Sequence, residues 1–184
     1  MKKRFLTWFN KPNVRLKQVL PFSLVLLSTA CSSNVPYSSS PPLKTDANPP
    51  NTQMISFARN YLGSDYQWGG NTPKGFDCSG FIKFVYNEFD IDIPRTTSQY
   101  PTLYANKVAF SDAEVGDLII FTGTNPKVRK PGHAGIITQV GDGKLHFIHS
   151  SSSKKHYGVT ETNYFKSGYP KRYLSIVRMS DASG

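Results

Sequence analysis

The chain has 184 residues, room for one domain and one core, and its 38% apolar and 18% charged residues lie in the ordinary globular range. With 22 Lys and Arg against 12 Asp and Glu, the formal net charge is +10. Six basic residues (Lys2, Lys3, Arg4, Lys11, Arg15 and Lys17) fall in the first 30 positions, which hold no acid; the 16 left against 12 acids need no nucleic-acid partner.

The basic N-terminus leads into VLPFSLVLLSTA, Val19 to Ala30. These 12 residues match a signal-peptide apolar region and fall short of the roughly 20 that span a bilayer. The stretch ends in LSTAC, Leu27 to Cys31, and small residues before a Cys resemble the lipobox of bacterial lipoproteins. The resemblance implies a signal peptide over 1–30 and a lipid on Cys31. Ser28 departs from it, holding the place three before the Cys where an apolar residue is usual, with Leu27 one step further out. Ordinary cleavage nearby and an uncleaved N-terminal anchor are the alternatives. Ser32 to Asn51 is rich in Ser, Pro and Asn and reads as a disordered tether, so residues 31–52 link anchor to domain. The expected location is the cell envelope, on the outer membrane facing the periplasm by the residue after the Cys, Ser32.

The folded domain is expected over 53–179, with a short tail at 180–184. Met54 to Gly63 has helical spacing with Gly63 as a stop. Ser64 to Gly75, with three Gly and a Pro, reads as loop. From Cys78 the run CSGFIKFVYNEF puts Phe81, Ile82, Val85 and Phe89 on one helix side, with Asp77 as N-cap. Pro94 ends that helix, and Thr96 to Gln99 opens a short one. The period then changes. Gly116 to Gly123 and His133 to Val140 read as strands, GDG at 141–143 as a tight turn, Lys144 to Ser150 as the hairpin partner, and Tyr173 to Met179 as a closing strand. Helices first and strands after predict an α+β fold, with the N-terminal helices packed on a central antiparallel sheet.

The chain has two cysteines, and envelope compartments are oxidising. With Cys31 lipidated, Cys78 has no partner within the chain and must be buried or used. At a helix N-terminus, unpaired N–H groups and the dipole favour a thiolate. Asp77 would oppose that if it pointed at the thiol, so capping is its expected role. Ser79 and Gly80 are small enough to let a substrate approach. A cysteine nucleophile needs a base. Of the four histidines, His133 opens one strand of the hairpin and His149 ends its partner, which brings both to one end of the sheet. His146 points to the opposite face from His149, and spacing alone does not choose between them. His156, among lysines, reads as solvated. One Cys and two His with no CxxC or HxxxH pair argue against zinc, and no cofactor is implied.

Five motifs recur in order: LGSDYQWGGNTPKGFDCSGF (62–81), IPRTTSQY (93–100), VGDLIIF (115–121), GHAGIIT (132–138) and KLHFIHSSS (144–152). Together they resemble the NlpC-type (NlpC/p-sixty) papain-like cysteine peptidases of bacterial cell walls, over Met54 to Val177. The resemblance implies Cys78 as nucleophile, His133 as base, and His149 rather than His146 in the third polar place. It implies Tyr66 as a carbonyl-binding hydroxyl beside the nucleophile, Ser79 and Gly80 along the substrate groove, and Trp68 in a structural place. The loop before His133, with Lys127, Arg129 and Lys130, lies where the family varies; it reads as a solvated loop or as an attractor of peptide carboxylates.

The implied activity is hydrolysis of an amide bond in peptidoglycan stem peptides or their cross-links, through a thioester on Cys78. The implied partners are peptidoglycan and, through the lipid, a membrane, for a monomeric chain. A non-catalytic wall-binding or scaffold module, and an amide hydrolase or acyltransferase on another substrate, are the alternatives.

Overall fold

The computed structural model describes residues 49–179. The expected signal segment, Cys31, most of the tether and the C-terminal tail lie outside the described residues. Among the described residues no helix is long and apolar enough to cross a membrane.

Helix α1, Pro49–Arg59, begins four residues before the expected start of the domain. It buries Met54, Ile55 and Ala58 and gives way at Arg59 to turns ending at Gly63, whose φ is +84°. The expected loop after it contains a small hairpin, β1 (Asn71–Thr72) and β2 (Gly75–Phe76). Helix α2, Cys78–Asn87, follows at once. Phe81, Ile82, Val85 and Tyr86 are fully or almost fully buried, at a spacing that makes one apolar stripe. Phe89 lies past the helix end and packs edge-on against Phe57 of α1, ring centroids 6.0 Å apart.

The short helix expected near Thr96 is a longer 3-10 segment, Thr97–Asn106, with Tyr100 buried. It feeds β3 (Lys107–Val108). Strands β4 (Leu118–Thr122), β5 (Pro131–Gly141), β6 (Lys144–Ser153), β7 (His156–Asn163) and β8 (Tyr173–Val177) complete the sheet. The order is β3-β8-β4-β5-β6-β7, all antiparallel. The β5–β6 turn is Asp142-Gly143, both at positive φ (51° and 68°), the two-residue hairpin that suits the strands' right-handed twist.

The sheet separates two apolar layers. Residues 118, 120, 134, 136 and 148 join α1 and α2, while 119, 121, 137, 145 and 147 join Tyr164 and the 3-10 turn Tyr169–Arg172 on the other face. The architecture is the α+β fold that the element order predicts. Besides the two-residue strands β1 to β3, strand β7 is absent from that prediction: HYGVTETN offers a single buried Gly158–Val159 pair and otherwise mostly polar residues. Pairing with β6 along its whole length decides it. Gly158 holds β7 against the Ser64 backbone at φ +89°, where a Cβ would collide with the Ser64 carbonyl.

Candidate active site

Cys78 is the first residue of α2, and the cap beneath it is tightly built. Asp77 Oδ1 accepts from Gly80 N at 2.7 Å, and Oδ2 accepts from Gly69 N at 3.0 Å. Arg95 clamps the same carboxylate through Nη1 (3.0 Å) and Nη2 (2.9 Å), while donating to Ser79 Oγ at 3.0 Å and to the Gly69 carbonyl at 2.8 Å. This fork ties three stretches, 69–70, 77–79 and 95, into one frame. Arg95 carries no signal of this role in the sequence, and Pro94 before it does not end α2 as expected, since the helix stops at Asn87 with Glu88 as its C-cap.

The two small residues expected along the groove part ways on this side. Ser79 lines the cleft, yet it is 5% exposed and its hydroxyl donates to Asp77 Oδ1 and accepts from Arg95. Gly80 is buried against the Gly70 carbonyl, which a Cβ would strike, and it borders a separate shallow hollow with Asn71 and Lys83 rather than the groove at Cys78. Its smallness serves the packing of α2 on the 69–71 loop.

On the other wall, the histidines meet as the hairpin predicts. His133 on β5 and His149 on β6 place Nε2 and Nδ1 2.9 Å apart, with the rings perpendicular. His149 Nε2 lies 3.0 Å from Thr162 Oγ1 on β7. Tyr169 stacks on His133, ring centroids 5.6 Å apart, and its hydroxyl lies 3.2 Å from His133 Nε2. Arg172 is fixed over the Tyr169 ring and donates to the carbonyls of Gly123 and Thr122 at 3.0 and 2.9 Å. Thr162, Tyr169 and Arg172 lie in polar or turn-like sequence, so nothing local to them announces a place in the site. His146 stands apart from this group, hydrogen-bonded to Asn163 at 3.1 Å.

A cleft of about 390 Å³ joins the two walls, with Cys78, His133, Tyr66 and Arg172 on its surface. Tyr66 stacks edge-on against Tyr157, centroids 5.9 Å apart, and Tyr157 donates to the Tyr66 carbonyl at 2.8 Å. Trp68, expected in a structural place, is 88% exposed at the cleft rim. Gly123, Thr124 and Gly132 of the basic loop reach the cleft, whereas Lys127, Arg129 and Lys130 do not line it and Arg129 donates to the Tyr173 carbonyl at 2.6 Å.

Burial sets the protonation of both walls. The Cys78 thiol is pushed up to about 11, first by loss of solvent and then by the Asp77 charge. The N–H groups of Ser79, Ala134 and Cys78 itself favour the thiolate without overcoming those two effects. The helix N-terminus alone predicts the opposite sign. His133 is driven down to about 3 by burial and by the Arg172 charge, and His149 falls well below its ordinary value for the same reasons together with repulsion from His133. At neutral pH the cleft therefore presents a protonated thiol and a neutral imidazole.

Comparison with known proteins gives concordant matches. Residues 63–178 match the NlpC/P60 family. The gamma-DL-glutamyl hydrolase of Bacillus subtilis is 39% identical over 118 residues, 63% of this chain and 26% of that protein. The probable peptidoglycan endopeptidase LytE of Bacillus subtilis is 33% identical over 128 residues, 69% of this chain and 34% of that protein. The chain thus spans about a quarter to a third of those two relatives. The crystal structure of an NlpC/P60 family protein from Bacillus cereus superposes with a TM-score of 0.59 at 28% identity, covering 70% of this chain and 40% of that one.

Proposed function

Since the chain belongs to the NlpC/P60 family, we propose that its domain hydrolyses an amide bond in peptidoglycan peptides, with Cys78 as nucleophile, His133 as base and His149 as the group that orients His133. The observation that carries this reading is the shared cleft: Cys78 at the start of α2 and His133, its Nε2 held 2.9 Å from His149 Nδ1, line one cavity.

The hydrogen bonds support a defined proton order. With Nε2 of His133 turned to His149, Nδ1 is the nitrogen left to receive the thiol proton. Neutral His133 then carries its proton on Nε2 and donates to His149 Nδ1, and His149 donates from Nε2 to Thr162 Oγ1. Cys78 Sγ attacks the carbonyl carbon while its proton passes to His133, forming a tetrahedral oxyanion. We assign the stabilisation of that charge to the Cys78 N–H at the helix start and the Tyr66 hydroxyl, both residues lining the cleft. Collapse breaks the C–N bond, His133 returns the proton to the leaving amine, and a thioester remains on Cys78. Water, deprotonated by His133, then releases the acid and restores the thiol.

The wall substrate is supported by the name of one relative, the probable peptidoglycan endopeptidase LytE, and hydrolysis of a glutamyl amide by the name of the other. The basic, apolar N-terminal run ending in Cys31 supports a lipid anchor in the envelope, on the outer membrane facing the periplasm. Mass analysis of the N-terminal peptide from detergent-extracted membranes tests the lipid.

Digestion of purified peptidoglycan, beside Cys78→Ala and with products identified by mass, tests the enzyme. New muropeptides from the wild type alone are expected, and their masses name the bond. Binding to sacculi with no product from either protein would replace the peptidase with a wall-binding module.

A further inference from the structure

A second hollow, about 550 Å³ and larger than the cleft, opens beside the histidine pair. His149, Thr162 and Tyr169 line it, and Arg172 borders both this hollow and the cleft. Its charges are one-sided. Lys155, His156, Lys166 and Arg172 line it against a single acid, Glu161. That carboxylate is already held by Arg59 at 2.9 Å and by the Thr138 hydroxyl. Among the described residues, the ammonium groups of Lys155 and Lys166 make no ion pair or hydrogen bond, and Arg172 meets carbonyls and an aromatic ring but no carboxylate. Three permanent positive charges without counter-ions therefore surround a cavity of ligand size that also presents the polar side chains of Ser153 and Asn163.

We propose that this hollow is a binding site for an oxyanion, a peptide carboxylate or a phosphate group, seated between Lys155, Lys166 and Arg172. The geometry favours recognition of an anion because ammonium and guanidinium groups gain most from a charged acceptor in a partly enclosed space. The local field agrees: Arg172 and His156 both oppose a proton on His149. Because Arg172 is common to both cavities, a wall peptide with its scissile amide at Cys78 has a route past Arg172 for a neighbouring carboxylate. That peptide source rests on the function proposed above, whereas the anion site does not.

The test uses full-length protein carrying Cys78→Ala, labelled with nitrogen-15 and titrated at neutral pH with inorganic phosphate or, separately, with the dipeptide L-alanyl-γ-D-glutamate. Saturating amide shifts at Lys155, Lys166 and Gly168 are expected with at least one probe. Adding Lys155→Ala and Lys166→Ala, both at exposed positions, should weaken that binding roughly tenfold or more. Tighter binding of the dipeptide assigns the site to a peptide carboxylate, and saturation by phosphate alone assigns it to a phosphate. If neither probe moves these amides, or the double variant binds equally well, the proposal is overturned. Retained binding in a protein whose wild type releases no muropeptides would overturn only the hydrolase reading.

Discussion

The two walls of the cleft solve the same problem by different means. The Cys78 wall is largely local: cap, nucleophile and the 69–70 loop lie within ten residues, and the more distant Arg95 reaches back to clamp them. The histidine wall is assembled from four separate elements, β5, β6, β7 and the 3-10 turn at Tyr169. The first is held by an ion pair whose side chains are 30% and 14% exposed; the second is held by neutral contacts between buried rings. Burial leaves each wall uncharged at its reacting atom, with the thiol raised and the imidazole lowered. The contrast teaches that the backbone N–H groups around Cys78 do not dominate here. They are outweighed by desolvation and by the same Asp77 that caps the helix.

Substitutions that remove a reacting group should separate chemistry from folding most sharply. Cys78→Ala and His133→Ala are each expected to lower the hydrolysis rate by at least about 10³-fold. The melting temperature of Cys78→Ala should stay close to wild type; a loss of activity that merely tracked unfolding would contradict the assignment.

Breaking the clamp comes next. Arg95→Ala leaves the Asp77 carboxylate without its cationic partner at a largely buried place, costing about 2–3 kcal/mol in a denaturant titration. It should also slow alkylation of Cys78, because Asp77 then acts on the thiol without compensation. Unchanged stability in Arg95→Ala would show that the fork contributes little.

The histidine wall answers to pH. Both histidines are buried neutral, so below the ordinary value near 6.5 the unfolded chain binds protons that the folded one does not. Stability should therefore be full above about 6.5 and decline as the pH falls toward about 3, where His133 itself titrates. By the same reasoning, the acid limb of kcat/KM should lie below 6.5 in peptide-release assays. A limb at the ordinary histidine value would place His133 in a more solvated state than the fold provides.

The smallest effects belong to the rim and to the 3-10 turn at Tyr169. Tyr169→Phe removes the hydroxyl near His133 Nε2 while keeping the stacked ring, so kcat should fall only a few-fold with stability nearly unchanged. Trp68→Ala should alter stability by less than about 0.5 kcal/mol, since its ring is almost wholly exposed. Peptide-release assays of Tyr169→Phe and thermal melts of the two variants side by side check these expectations.

By itself the sequence determined the order of elements, the start of α2 at Cys78, the cap at Asp77 and the hairpin that unites His133 with His149. Each follows from signals within a few residues: apolar period, a capping carboxylate, a two-residue Asp-Gly turn. It did not determine β7, whose polar pattern becomes a strand only by pairing with β6. Nor did it reveal Arg95, Tyr169 and Arg172, which act across separations of 18 to 50 residues in these contacts. It could not set the sign of the Cys78 shift either. A helix start favours the thiolate in isolation, and only the packing of α2 against β5 and β6 removes the water that would have supported it.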